Sequence, residues 1–348
     1  MNNDEKIRDS NFELMRMVAM FGIVIHHLLI SGADVCGYKT AYVYEESGIF
    51  GVLLNSLVVG GVDLFILLTG FFGIKKKRLS KIVKLNMDTI ICSLATVFMV
   101  VAFFGQKVSL SDIVSNSYFL KNWYTTHYII LILISPLLER TLENIQVREL
   151  RNYIIILAIV NIGFGYIFKL VNVDGYNYVN FIFLYFCGRY LNLSIDQRWF
   201  EKLKKAAPII VVLDVAFMTV GFIFYQSYGT DVSSIRFWSY NSPWVITLAL
   251  AVFIIFTSIK IRSRNINYMA KGVYYIFLLH TTPVILPFVN NLTSELYLKY
   301  SYLGVLLMSV IMYVINIILG VLFYKISSSV TEIIMKLVEK ILPGQRIF

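Results

Sequence analysis

Histidine and arginine stand inside long apolar runs of this chain, where an ionisable side chain is costly and needs a partner, a wet cavity or a task. Arg16, His26 and His27 fall in the first run, and His280 falls in a late one. On a helix, Arg16 and His27 share one face about 16 Å apart along the axis, whereas His26 is turned away by about 80°. An arginine near the membrane surface can bind phosphate, and a histidine at mid-membrane can act as a base.

The same two side chains also have a purely structural interpretation. Arg16 can snorkel to lipid phosphates, and His27 can hydrogen-bond a neighbouring helix. The residue types alone favour neither interpretation.

A single carboxylate lies deep in the second apolar run, where Asp63 follows Gly60 and Gly61. We expect Asp63 to be paired or protonated, with a histidine or arginine of another span as its natural partner. Gly60, Gly61 and Gly70 are expected to let neighbouring helices approach closely.

A cluster of basic residues follows this run. Such a cluster usually anchors the topology of a membrane protein, and it would also meet several phosphates of a nucleotide-type ligand. Its members are Lys75, Lys76, Lys77, Arg78, Lys81 and Lys84.

Aromatic and polar residues begin the fourth and eighth apolar runs. Trp123 and Tyr128 lie in the first of these segments, and Asn241 lies in the second. Aromatic residues at this depth usually belong to the interfacial belt of a membrane protein. Because tryptophan and tyrosine rings also stack on sugar rings, an extracytoplasmic glycan is compatible with the pattern.

Composition defines the class of protein that must position these residues. The chain has 348 residues, of which 58% are hydrophobic and 15% charged, with a mean hydropathy of +0.71. Soluble domains carry about 25% charged residues. We therefore predict an all-α polytopic integral membrane protein, a single domain over residues 1–348. Three scattered cysteines predict neither a disulfide framework nor a zinc site, and no metal is expected.

Apolar runs between polar breaks predict ten transmembrane spans. If the N-terminus is cytoplasmic, 25 of the 31 basic residues fall on the cytoplasmic side, which assigns both termini to the cytoplasm. The net charge of +10 is then a topology signal facing membrane lipid, and nucleic acid is excluded as a partner. The tail 326–348 is predicted as an amphipathic helix on the inner surface. The six basic residues outside are Lys39, Lys107, Lys121, Lys169, Arg236 and Lys299. The spans lie at about 12–31, 49–73, 85–105, 122–138, 152–171, 178–191, 207–228, 243–260, 271–291 and 300–325.

Several segments together resemble the membrane acyltransferase family 3, over residues from about 11 to 325. Thr69 stands where a serine is more usual in that family, and Glu139 stands where related sequences often have a different polar residue. The segments are Asn11–Arg16 with His27 after ten intervening residues, Gly61–Phe65, Thr69–Phe72, Trp123–Tyr124 with Tyr128, Ser135–Leu138, Tyr240–Pro243 and Tyr275–His280.

The resemblance implies an enzyme that moves an acyl group, commonly acetyl, from cytoplasmic acyl-CoA to a hydroxyl of a cell-surface glycan or its lipid-linked precursor. By that analogy Arg16 helps to hold the CoA phosphates and His27 is the catalytic histidine of a cell-membrane enzyme. Asp63 and His280 are candidates to orient His27 or to stabilise developing charge. The candidate residues are His27, Asp63 and His280 for catalysis; Arg16, Lys76, Lys77 and Arg78 for acyl-CoA; and Trp123, Tyr128 and Asn241 for the acceptor.

Two other functions fit a membrane protein of this size. A proton-coupled transporter or flippase of a glycan precursor would use the histidines and Asp63 as a proton relay. Inverted repeats with broken helices would favour this function, and the sequence does not indicate them. A glycan polymerase or ligase usually needs a sizeable external loop, whereas the longest outer loop expected here is only about 17 residues, at 32–48.

Overall fold

The computed structural model describes residues 9–35, 46–74, 78–105, 107–109, 122–171, 174–228 and 233–341, and all regular structure in these ranges is helical. Helix α1 continues as the π-helix Leu28–Gly32, and α6 continues as the π-helix Ile159–Ile167. Short 3-10 turns precede α9 and α11. The α-helices are α1 Asn11–His27, α2 Glu46–Val58, α3 Gly61–Phe72, α4 Arg78–Phe104, α5 Trp123–Leu142, α6 Val147–Ala158, α7 Tyr178–Ser194, α8 Arg198–Tyr228, α9 Pro243–Ser258, α10 Arg264–Met269, α11 Val273–Thr281 and α12 Leu286–Ile341.

Local capping chemistry determines several helix ends. The side chain of Asn122 accepts a hydrogen bond from the backbone N–H of Thr125 at 3.0 Å, and Asn177 caps α7 in the same way. These bonds satisfy backbone donors that the first turn of a helix leaves without partners. At the other end of α3, Gly73 adopts a φ of 75°, a left-handed conformation that ends the helix at little steric cost.

Seven helical segments of the described chain are long and apolar enough to cross a membrane, which agrees with the predicted all-α membrane class. Helix α7, with 17 residues, is about 26 Å long, shorter than the roughly 30 Å hydrocarbon core. Helix α5 has polar residues at both ends. The seven segments are Asn11–Gly32, Gly48–Phe72, Arg78–Phe103, Val147–Ile167, Arg198–Ser227, Arg236–Ser258 and Leu286–Val338.

The predicted count of ten spans is not confirmed, and the cytoplasmic location of both termini stays a prediction. The expected ninth span, 271–291, is not one helix, because α11 ends at Thr281 and Thr282 has an extended backbone with ψ 126°. Pro283 follows, and a residue before proline avoids the helical region. The element α12 consists of two helices that meet at a kink at Ser301, whose φ of 55° and ψ of −146° are not helical, and the second helix continues past residue 325 to Ile341 without a separate tail helix.

Helix α1 joins two hydrophobic clusters. Met15 and Ala19 belong to a cluster built mainly on α3, α5, α7 and α9. Met20, Val24 and Leu28 belong to a second cluster that includes residues of α2, α8, α11 and α12. Because α1 is shared, its polar residues lie where the two clusters meet.

Two glycines permit helices α3 and α7 to approach each other closely. A Cβ atom added at Gly70 would lie 2.1 Å from the backbone oxygen of Tyr185, and one added at Gly188 would lie 2.1 Å from the backbone oxygen of Leu67. Both distances are far below van der Waals contact with backbone that cannot rotate away. Helices α3 and α7 therefore pack as closely as they do only because these two residues lack side chains.

We expect Gly70→Ala to lower the melting temperature of the purified protein in detergent, because the added methyl group must push α3 away from α7. Overpacking of this kind costs about 1–3 kcal/mol. The control is Gly60→Ala, whose Cβ would meet Ala249 and Leu248 at an ordinary 3.6 Å. Equal melting temperatures for the two variants would contradict the packing role of Gly70.

Candidate functional site

Two histidines from different helices form a direct hydrogen bond at the centre of the candidate site. Nδ1 of His27, the last residue of α1, lies 2.8 Å from Nε2 of His280 near the end of α11. The other ring nitrogen of His280, Nδ1, lies 2.6 Å from the backbone oxygen of Ile276. His280 is 1% exposed, whereas His27 is only partly buried.

This geometry determines which nitrogen carries each proton when both rings are neutral. A carbonyl oxygen can only accept, so Nδ1 of His280 donates to Ile276 and Nε2 of His280 is the acceptor. His27 must therefore donate from Nδ1. Its remaining nitrogen, Nε2, keeps a lone pair and can take a proton from a substrate.

The neighbouring histidine lies outside this pair, as the helical spacing predicts. Nδ1 of His26 lies 2.7 Å from Oδ1 of Asn55 on α2. Asn55 is fully buried. His26 therefore joins α1 to α2, while His27 faces α11.

A cavity of about 670 Å³ opens between α1, α3, α4, α5, α11 and α12. Ile23 lines it and lies four residues before His27, about 6 Å along the helix axis. Phe277 also lines it, and its ring centroid is 6.3 Å from that of His280. The cavity thus ends beside the histidine pair without including either ring in its wall.

Cations outnumber carboxylates in the wall of this cavity. Two of the cations are engaged, since Nη1 of Arg16 lies 3.0 Å from Glu13 and Nζ of Lys84 lies 3.0 Å from Asp88. Lys81 and Lys271 form no ion pair with another described residue. The arrangement suits an anionic ligand such as a phosphate ester. The charged lining residues are Arg16, Lys81, Lys84 and Lys271 with Glu13 and Asp88.

The structure separates the residues expected at the basic cluster. Arg16 lines the cavity, as the prediction of an anion site requires. Lys76 and Lys77 lie outside the described residues. Arg78 does not line the cavity; it donates to Oγ of Ser135 at 2.8 Å and to the backbone oxygen of Ile74 at 2.8 Å. These bonds join the start of α4 to α5 and to the end of the α3 segment.

Asp63 lies apart from the histidine pair, in a buried network of amides. Asn180 of α7 donates from Nδ2 to Oδ1 of Asp63 at 3.5 Å and accepts from Asn161 at 2.8 Å. Asp63 Oδ2 has no hydrogen-bond partner among the described residues. The prediction that a histidine or arginine pairs with Asp63 is therefore wrong among the described residues, because Asn180 of α7 occupies the position beside the carboxyl group.

The aromatic acceptor candidates lie at two different places. Tyr128 lines the cavity, stacks on Tyr124 with ring centroids 5.8 Å apart, and has its hydroxyl 3.3 Å from Oγ1 of Thr69. Trp123 lies outside the cavity wall and contacts the rings of Tyr176 and Tyr240, at 4.6 Å and 5.7 Å. Tyr128 thus lines the cationic cavity, whereas Trp123 lies behind the wall and contacts it through Tyr124, with ring centroids 6.0 Å apart.

Asn241 is fully buried rather than part of an open polar cap. Its Nδ2 donates to the backbone oxygen of Asn161 at 3.2 Å. A Cβ added at Gly175, which has a φ of 77°, would lie 2.5 Å from the backbone nitrogen of Asn241. The loop before α7 therefore closes tightly over Asn241, and a role for this residue in acceptor binding stays a prediction.

Sequence reasoning missed the cluster around Asp88 on α4. Asp88 is 3% exposed and lies in the predicted third span, so the argument that singled out Asp63 applied to it equally. Its spacing of four residues from Lys84 was a second signal, since residues four apart share a helix face. Lys271, at the start of the predicted ninth span, is one of the 25 basic residues assigned to the cytoplasmic side, and its position in the cavity wall was not predicted.

These features define an integral membrane protein with a histidine pair beside one end of a cationic cavity. Residues 9–325 match the family model of the acyltransferase 3 family, described as an acyltransferase domain. The match covers most of the chain, so the chain belongs to this family and is a membrane acyltransferase. It confirms the resemblance that the sequence motifs carried.

Searches of the curated proteins and of the solved structures found no significant match to this chain.

We expect Asp63→Leu to destabilise the protein in detergent by about 1–3 kcal/mol, because it leaves the amide of Asn180 without its carboxyl partner. Asp63→Asn keeps an acceptor oxygen and should melt close to the unmodified protein. Melting temperature and acyl transfer are measured on both variants. A stable Asp63→Asn protein without acyl transfer would contradict the structural role and place the carboxyl group in the reaction.

Proposed function

We propose that this protein is an O-acyltransferase of the cell membrane. It moves an acyl group, acetyl in the simplest case, from cytoplasmic acyl-CoA to a hydroxyl of an extracytoplasmic or lipid-linked cell-surface polysaccharide. The observation that carries the proposal is the hydrogen-bonded series His27–His280–Ile276 at the end of a cationic cavity. Membership in the acyltransferase 3 family supports the reaction class.

The cavity suits the donor. Acyl-CoA combines several phosphates with a long thin arm, and the cations Arg16, Lys81, Lys84 and Lys271 line the wall of a mostly apolar space. In this proposal the phosphates bind these cations and the thioester reaches toward His27. The predicted orientation places the same cations on the cytoplasmic side, where acyl-CoA is made.

The histidine pair suits proton transfer. Nε2 of His27 takes the proton of the acceptor hydroxyl while the hydroxyl oxygen attacks the thioester carbonyl carbon. When the carbon–sulfur bond breaks, the imidazolium returns that proton to the leaving sulfur and free CoA thiol is formed. His280 holds His27 in the required tautomer and stabilises its transient charge. General-base catalysis of this kind contributes about 10²- to 10⁴-fold in rate. Transfer through an acyl-histidine would use the same nitrogen.

A chain of aromatic contacts leads from the pair to an exposed ring. Phe277 lies beside His280, Tyr124 contacts Phe277 at 5.6 Å, and Trp123 contacts Tyr124 at 6.0 Å. Trp123 in turn contacts Tyr176, which is 45% exposed. An acceptor glycan that reaches His27 from this side would meet this aromatic cluster first.

We expect His27→Ala to reduce acyl transfer by about 10²- to 10⁴-fold, since it removes the base. Membranes containing each variant are supplied with radiolabelled acetyl-CoA, and label in the polysaccharide fraction is measured at equal protein abundance. The matched control is His127→Ala, because His127 lies on α5 outside the pair and should be dispensable.

Retained transfer in the His27→Ala protein would remove His27 from the mechanism. Mass spectrometry of the surface polysaccharide with and without this protein identifies the acyl group, as a mass difference of one such group per repeat. The break after Thr281 is also a feature of transporters. Glycan export without consumption of acetyl-CoA would therefore favour the transporter over the acyltransferase.

We expect Tyr176→Ala to raise the KM for the glycan acceptor without changing the KM for acetyl-CoA, because it removes the exposed ring beside Trp123. Tyr178→Ala is the control, since Tyr178 is equally exposed at 45% and its ring neighbour is His127. Both constants are obtained from label incorporation with each substrate varied in turn. Equal effects of the two variants would indicate an interfacial belt and no acceptor contact.

A further inference from the structure

Asp88 of α4 is the shared acceptor of three donors from three helices. Oδ1 of Asp88 accepts from Nζ of Lys84 at 3.0 Å, from the hydroxyl of Tyr275 on α11 at 2.5 Å, and from Oγ of Ser327 on α12. Lys84 also donates to the hydroxyl of Tyr275 at 3.0 Å. Asp88 is 3% exposed, and its charge is balanced by the lysine one turn away.

The tyrosine in this cluster belongs to the short helix that carries the histidine. Helix α11 has nine residues, from Val273 to Thr281, with a 3-10 turn before it and an extended residue after it. The chain is helical from α10 through this turn into α11, and the helix stops after Thr281. Side-chain contacts near this end therefore help to determine the rotation of α11. The hydrogen bond from Tyr275 to Asp88 is one such contact with α4.

The same helix turn presents the acceptor for His280. Ile276, directly after Tyr275, has the backbone oxygen that accepts from Nδ1 of His280. A rotation of α11 that displaced Tyr275 would carry His280 with it, since both lie on one rigid helix. The 2.8 Å bond between His280 and His27 would then lengthen, and the donor proton of His27 would lose its partner.

We propose that Asp88 is a positioning residue for the acyl-transfer reaction. By holding the Tyr275 hydroxyl it holds α11 against α4, and so aligns His280 with His27. Asp88 also links the position of α11 to the cationic cavity, because Lys84 lines the cavity and pairs with the same carboxylate. The proposal rests on the proposed function, in which His27 is the base.

Two hydroxyl groups that donate to one oxygen give a matched test. Tyr275→Phe and Ser327→Ala each remove one donor to Oδ1 of Asp88, but only Tyr275 is on the histidine-bearing helix. We expect Tyr275→Phe to lower kcat about 10- to 100-fold, the scale of a displacement of about 1 Å at a reacting group. The loss of kcat should exceed any change in the KM for acetyl-CoA, since Tyr275 also lines the cavity proposed for the donor. Ser327→Ala should keep kcat close to that of the unmodified protein.

Asp88→Asn and Asp88→Ala extend the test to the carboxylate itself. An asparagine keeps an oxygen that can accept from Tyr275, so its kcat should lie closer to that of the unmodified protein than the kcat of Asp88→Ala. Melting temperatures in detergent are measured for all four variants, and kinetics use radiolabelled acetyl-CoA with membranes that contain the native glycan.

Equal losses of kcat in Tyr275→Phe and Ser327→Ala would overturn the proposal, because the cluster would then stabilise the helix packing without specifically aligning His280. A change confined to the KM for acetyl-CoA would overturn it too, and would assign the cluster to donor binding. Should Tyr275→Phe not fold, the comparison of Asp88→Asn with Asp88→Ala decides. If His27→Ala is inactive and Tyr275→Phe is fully active, only the positioning role is rejected. If His27→Ala is active, the proposed function is rejected.

Discussion

The hydrogen bond between His27 and His280 joins the two helices on which the candidate chemistry depends. Interhelical hydrogen bonds inside membrane proteins contribute only about 0.6 kcal/mol on average, so this bond matters more for geometry than for stability. It determines a tautomer, and the tautomer leaves one nitrogen of His27 able to accept a proton. The break after Thr281 places His280 near a free helix end, and the alignment of His280 therefore depends on the side-chain contacts of α11.

Polar groups are costly in an apolar interior, and the rest of the bundle supplies partners for the buried carboxyl groups. Asp63 is held by Asn180, and Asp88 is held by a lysine and two hydroxyl groups. Each cluster joins different helices and is buried. Helix α1 connects the hydrophobic clusters, and its Arg16 lines the cationic cavity, whose wall also includes Asp88. An anionic ligand would supply the carboxylate-like partner that Lys81 and Lys271 do not have among the described residues.

Local periodicity explains which predictions agree with the structure. Arg16, His26 and His27 lie on one uninterrupted helix, so the 3.6-residue repeat alone separated the face of His27 from that of His26. The break in the expected ninth span also has a local cause, because Pro283 disfavours a helical conformation at the residue before it and so indicates where the helix ends. Its consequence was that one predicted span became two helices.

The sequence by itself determined the membrane class, the family and the face of α1 that carries Arg16 and His27, because composition, motif order and helical repeat are properties of the chain alone. Tertiary structure decided the partners: His280 for His27, Asn180 for Asp63, and Tyr275 for Asp88. These pairs are separated by 253, 117 and 187 positions along the chain. Contacts at such separations depend on how helices pack, and no local repeat encodes which helix will be the neighbour.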